Sequence, residues 1–155
     1  MCVVLTANGA ANAPLYVDTT VKKCAIVLSE ELPPGTAANA ASVLGVSMGR
    51  HHPEMVGHDL TDASGGFRHG ITTMAIPILK ARPEVIKEMR ARLQQFEPDL
   101  LVVEVIAATR TTRSYDEYAA AFETTPVGEI EYYGLALFGD KKTVNKFTGG
   151  LALMR

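Results

Sequence analysis

Apolar positions along the chain fall into short runs set apart by polar, Gly- and Pro-rich stretches, and their spacing changes from run to run. In VKKCAIVLS, residues 21–29, the unbroken centre Cys24–Leu28 has the length of a buried strand. EELPPG follows, where two prolines end a ladder and Gly35 is free to take a positive φ. Thr36 then reads as the N-cap of a helix over TAANAASVLGVSMG, weakened by Gly45 and ended at Gly49. Residues 50–70 mix turn signals with one short strand near Val56–Leu60, and DASGG is a loop by its turn chemistry. ITTMAIPILKA predicts a strand around Met74–Leu79, with Pro77 pointing to a sheet edge or a bulge.

The second half is more regular. Pro83 opens a helix in which Val85, Ile86, Met89, Leu93 and Phe96 recur at helical spacing, with Glu88 and Arg92 as an i,i+4 pair on the wet side. Glu97-Pro98 stops it, and DLLVVEVIAA is a second buried strand. SYDEYAAAF, residues 114–122, predicts a short helix capped by Ser114. GEIEYYGLALFGD reads as a strand and KKTVNKFTGGL as a last helical turn with a glycine stop. Strands alternating with helices predict a three-layer α/β/α sandwich whose mixed sheet of four or five strands is mostly parallel, with one antiparallel member. Residues 1–20 carry no steady period and read as an N-terminal extension. No internal repeat divides the remainder, so 21–155 is expected to be one domain.

Composition sharpens this picture at three points. The chain has 155 residues, enough for one core and too few for two ordinary domains. With 6% aromatics and no Trp, the core must be built from small and branched aliphatics, and Ala-rich helices are expected to sit close against the sheet. A formal net charge of -2 lacks the basic excess of a nucleic-acid binder, which makes tRNA the weaker choice of partner. Cys2 and Cys24 form neither a disulfide framework nor a zinc spacing, and Cys24 reads as a small core residue. The apolar runs are too short to span a membrane and the N-terminus has no basic region ahead of its apolar patch, so the cytoplasm is the expected location.

Candidate chemistry is sparse. Gly35 and Thr36, at a strand-to-helix junction, form either an anion pocket of free N–H groups or an ordinary turn. Asn39 either binds a ligand or braces the neighbouring loop. Glu104, interrupting LLVVEVIAA, is either an acid with a raised pKa or an edge residue pointing into solvent, the plainer reading. Arg110 and Arg113, in ATRTTRS, could clamp a phosphate or carboxylate, or belong to a solvated loop. His51, His52, His58 and His69 match no metal-ligand spacing and read as surface residues. No metal or cofactor is expected. Lys141, Lys142 and Lys146 form a local basic stretch, with Lys22 and Lys23 elsewhere.

Two segments go beyond generic α/β patterning. CAIVLSEELPPGTAANAASVLG and VNKFTGGLALM resemble the opening strand–turn–helix and the closing segment of type-II peptidyl-tRNA hydrolases, with Ala37-Ala38-Asn39 in place of an Ala-Ala-Gln core. A closer resemblance is to an uncharacterised bacterial family related to that fold, domain of unknown function two thousand. Leu32–Ala41, Gly70–Leu79 and Val144–Leu151 are each similar to one of its blocks. The resemblance implies a peptidyl-tRNA hydrolase-like fold and a cleft at the start of the first helix. The hydrolases' lysines have no counterpart in Pro33–Ala38. Their Asp falls among Ala119–Ala121, while Thr124 lies near their Thr. The resemblance therefore implies a non-hydrolase relative that binds a small polar or anionic ligand, with Gly35, Thr36, Asn39, Glu104, Arg110 and Thr124 as candidate site residues. Two alternatives stand beside it: a divergent hydrolase using Thr36 and Thr124, and an interaction protein, possible as a homodimer.

Overall fold

A computed structural model describes residues 16–155, so the expectation for an N-terminal extension lies outside the described residues over 1–15. Strand β1 (Lys22–Ser29) is followed by α1 (Pro34–His51), a small hairpin of β2 (Leu60–Thr61) and β3 (Phe67–Arg68), and β4 (Ile78–Ala81). Next come α2 (Pro83–Leu93), β5 (Leu101–Ile106), α3 (Tyr115–Thr124), β6 (Tyr132–Asp140), α4 (Lys141–Thr148) and β7 (Ala152–Leu153). The main sheet has five strands in the order β5-β6-β1-β4-β7.

The expected mostly parallel sheet is corrected here. Among the described residues of this sheet only β1 and β4 run parallel, while β1–β6, β5–β6 and β4–β7 are all antiparallel. A strand buried on both faces is a continuous apolar run whichever way its neighbours point, so the apolar run did not fix strand direction. Pro77 marks neither an edge nor a bulge. It precedes β4, which lies between β1 and β7, and its carbonyl accepts the Ile26 N–H at 3.0 Å.

Each face of the sheet has its own core. Alternation along β1 and β6 sends Ala25, Val27, Leu135 and Leu137 to one side, where they meet Ile86, Met89 and Leu93 of α2 and Val144 and Phe147 of α4. Cys24, Ile26, Leu28, Ala136 and Phe138 point the other way, onto Ala37, Ala40, Leu44 and Met48 of α1. Those four lie on one helical stripe, and burying Leu44 completely is worth about 1.5–3 kcal/mol. The expected small-aliphatic core is what forms, with Cys24 wholly inside it.

Helix limits follow local chemistry, with some departures. Ser114 caps α3 by accepting the Glu117 N–H at 3.2 Å, and α4 ends at Gly149, both as the sequence predicts. α1 instead starts at Pro34 with Pro33 as its N-cap, so Thr36 lies inside the first turn and Gly35 is already helical. The helix also runs two residues past Gly49. The expected Glu88–Arg92 pair does not form, and Arg92 lies over the Phe147 ring, 5.4 Å from its centroid. The DASGG loop closes the β2–β3 hairpin. Asp62 Oδ1 accepts the N–H groups of Ser64 (2.9 Å) and Gly66 (2.8 Å), and Gly65 takes φ 81°, a conformation that favours glycine.

Gly134 of β6 lies tightly against β1, with Leu44 of α1 close by. Tyr133 is the extra residue of a bulge, because Val105 pairs with Gly134 and Ile106 with Tyr132. A Cβ on Gly134 would lie 2.5 Å from Leu28 Cδ2 and 2.8 Å from the Val27 carbonyl. Gly134→Ala is therefore expected to destabilise the fold by about 1–3 kcal/mol, read as a lower denaturation midpoint. An unchanged midpoint would mean that β1 and β6 pack more loosely around this position than described.

Candidate functional site

The parallel pair β1–β4 ends beside the first turn of α1, and a cavity of about 390 Å³ opens there on the α1 face of the sheet. α1 covers β1, β5 and β6 and leaves the β4–β7 side of that face open. Leu28, Ile78, Leu32 and Met154 give the cavity an apolar lining, and Glu30, Lys80 and Arg155 supply its charges. Period two along β4 puts Ile78 and Lys80 on one face. Ile78 packs into the α1-side core, so Lys80 emerges on that face just beyond it.

The start of α1 adds donors. Pro33 is extended (φ -56°, ψ 149°), and no side chain caps the first turn. Ala37 N–H reaches the Pro33 carbonyl at 2.9 Å, but the N–H groups of Gly35 and Thr36 make no hydrogen bond among the described residues. They are the orphan donors of a helix start, at the positive end of an 18-residue helix. Lys80, Arg155 and a helix N-terminus offer an anion partners above an apolar floor, with Glu30 beside them.

The six residues predicted from sequence do not converge on this cavity. Gly35 is exposed in the first turn of α1, next to the lining residue Pro34. The residues of α1 that line it are Pro34, Ala37 and Ala38, whereas Asn39 is solvent-exposed and Thr36 is half-buried on another side of the helix. Arg110 is exposed at the end of a 3-10 turn, Ala107–Arg110. Thr124 closes α3, which packs on the opposite face of the sheet from Thr36, and its hydroxyl bonds back to the Ala120 carbonyl at 2.7 Å. Lys80 was missed because a lysine after Pro-Ile-Leu looks like an ordinary strand-end charge. The one available signal was its spacing of two from Ile78.

Glu104 lies on edge strand β5, but it does not face open water. Its carboxylate accepts the Arg90 Nε–H, while Arg90 Nη1 donates to Glu97 at 3.0 Å. These side chains are only 19–29% exposed. Burial alone would lower the Arg90 pKa, but the hydrogen bond and charge of Glu104, joined by Glu97, hold it above its ordinary value. Burial, then the Glu104 charge, push the phenols of Tyr118 and Tyr132 up. This cluster lies between a 430 Å³ cavity that includes Arg113 and Tyr115 and a smaller one beneath α2.

The histidines hold local positions. His52 pairs with Glu54 at 2.8 Å and stacks on Phe138, and His69 lies 3.4 Å from Asp59. Among the described residues no three His, Cys, Asp or Glu side chains converge as a metal site, and no helix is long and apolar enough to cross a membrane.

An open mixed sheet with one helix on one face and the other helices opposite defines an α/β domain. Residues 22–155 match the family model described as "Protein of unknown function (DUF2000)", and the chain belongs to that family. A solved structure of similar fold is Atu0240 from Agrobacterium tumefaciens str. C58, itself a protein of unknown function. It superposes with a TM-score of 0.80 over 86% of this chain and 98% of that one, at 20% identity, a likeness of fold alone. No curated protein matches the chain. Neither match names a peptidyl-tRNA hydrolase.

Two expectations follow from these geometries. Arg90→Met should cost about 1–3 kcal/mol, because it leaves Glu104 half-buried without its partner, and adding Glu104→Leu should recover most of that loss. Equal midpoints for the single and double variants in a denaturant titration would rule out that pairing. Burial pushes the Cys24 thiol up to about 11. At pH 8 its tryptic peptide should therefore stay unlabelled by iodoacetamide in native protein and be labelled in urea, read by mass spectrometry.

Proposed function

We propose that this chain is a ligand-binding domain that takes a small organic anion at the start of α1, and is not a peptidyl-tRNA hydrolase. The observation that carries this reading is the 390 Å³ cavity, where Lys80 and Arg155 border an apolar floor beside the first turn of α1, whose Gly35 and Thr36 N–H groups make no hydrogen bond among the described residues. Pockets of this size hold small molecules, and ligands of open α/β sheets collect at the carboxyl ends of parallel strands. Lys80 and the helix start suit an anionic group, and Leu28, Leu32, Ile78 and Met154 suit an apolar body attached to it.

The case against hydrolysis is chemical. An ester needs a group to orient water and a donor to stabilise the oxyanion. Pro33–Ala38 contains no lysine, and Thr36 and Thr124 belong to elements on opposite faces of the sheet.

Hexanoate serves as a probe, with hexanol as its neutral counterpart. Hexanoate should shift the amide signals of Gly35 and Thr36 and bind more tightly than hexanol, and Lys80→Gln should weaken it about tenfold. Equal binding of the two probes, or an unaffected Lys80→Gln variant, would sink the assignment. A defined peptidyl-tRNA should survive incubation with the protein. Turnover that disappears in Thr36→Ala would restore the hydrolase reading.

A further inference from the structure

A second cavity, of about 620 Å³, lies at the other end of the sheet, where β1 begins and the chain enters β4. Lys22, Lys23 and Lys141 all line it. Lys141 is far from Lys22 and Lys23 in sequence and is brought to them by the register of the sheet: Lys22 pairs with Asp140 on the antiparallel neighbour β6, and Lys141 is the next residue along. The remaining wall is Thr19, Thr73 and the segment Met74–Pro77. The carbonyl of Pro77 is taken by Ile26, while the N–H groups of Ala75 and Ile76 make no hydrogen bond among the described residues.

No carboxylate lines this cavity, and none of the three ammonium groups has one within salt-bridge distance among the described residues. The nearby acids are engaged locally. Asp18 accepts the Thr20 N–H at 2.9 Å and its hydroxyl at 2.6 Å. Asp140 caps α4 through the Thr143 N–H at 3.0 Å. The lysines are held by neutral oxygens, with Lys23 Nζ 2.6 Å from Asn145 Oδ1 and Lys141 Nζ 3.2 Å from the Thr19 carbonyl. Lys22 also borders a neighbouring cavity lined by Glu97, Asp99 and Asp140, so Lys23 and Lys141 are the cations least shared with acids.

We infer that this cavity is a binding site for a small phosphate monoester, separate from the cavity at the start of α1. The point-charge ammonium groups of Lys23 and Lys141, with Lys22 beside them and no arginine fork, suit a compact tetrahedral dianion better than a planar carboxylate. A phosphate monoester carries a charge of about -1.5 to -2 at neutral pH. The Thr19 and Thr73 hydroxyls offer further donors, and Met74, Ile76 and Pro77 give an apolar wall for the rest of the molecule. A one-sided cavity on a chain of net charge -2 favours a small molecule over the repeated phosphates of a nucleic acid.

Phenyl phosphate tests this, titrated into the full chain and followed by amide NMR, with phenol as the neutral control and a short single-stranded RNA as competitor. Saturable shifts confined to Thr19–Lys23 and Thr73–Pro77, absent with phenol, are expected. Lys23→Gln and Lys141→Gln should each weaken binding several-fold, and together more than about tenfold. Lys80→Gln, at the other cavity, should leave phenyl phosphate binding unchanged, so the two assignments fail independently. Either single variant keeps the question decidable if the double variant does not fold. The inference is overturned by no saturable binding, by full affinity in a folded lysine variant, or by RNA displacing the probe at a lower concentration than phenyl phosphate itself.

Discussion

With strands on both edges and helices on both faces, β1 has nowhere to meet water along its centre, and the rest of the domain is arranged to make that enclosure possible. From Cys24 to Leu28 no residue is more than 3% exposed. Such a strand must have its main-chain groups paired on both sides, which fixes β4 and β6 as its neighbours. Its alternating side chains feed two cores at once. The seat of α1 then depends on β6 having a bulge and a glycine where Leu28 and Leu44 meet.

Both cavities follow from the same enclosure. One parallel neighbour puts the exit of β1, the exit of β4 and the start of α1 at one end of the sheet, where donors collect at a helix terminus. One antiparallel neighbour brings the end of β6 and the start of α4 back to the entry of β1, where lysines collect. The two ends thus differ in chemistry: a lysine and a helix start over an apolar floor at the first, and at the second three lysines with no carboxylate among the described lining residues.

Much of this is legible in the amino-acid sequence. The positions of β1, α2, β5, α3, β6 and α4, the Ser114 cap and the Gly149 stop are local properties, set by periodicity and by the chemistry of helix ends. Strand direction was not legible, because it depends on which surface the returning chain finds and leaves no mark on an apolar run such as Leu135–Phe138. The N-cap was misplaced because a proline at N1 is as good an opening as a threonine cap. Glu104 read as an edge charge because its partner Arg90 is 14 residues away on a helix, and Lys80 did not stand out because its setting is made by residues from β1, α1 and β7.

The order in which the chain is made has a cost that the finished domain hides. β1 is among the first described segments to leave the ribosome, yet β6, the longer of its two neighbours, begins 103 residues after Ser29 (132 minus 29). At about 5–20 residues per second, the strand waits on the order of 5–20 seconds for that edge to be covered. During that interval Cys24 and Ala25–Leu28 lack the β6 neighbour that completes their burial. Birth, more than maturity, is when this protein is open to oxidation and clumping, and when a chaperone has something to hold.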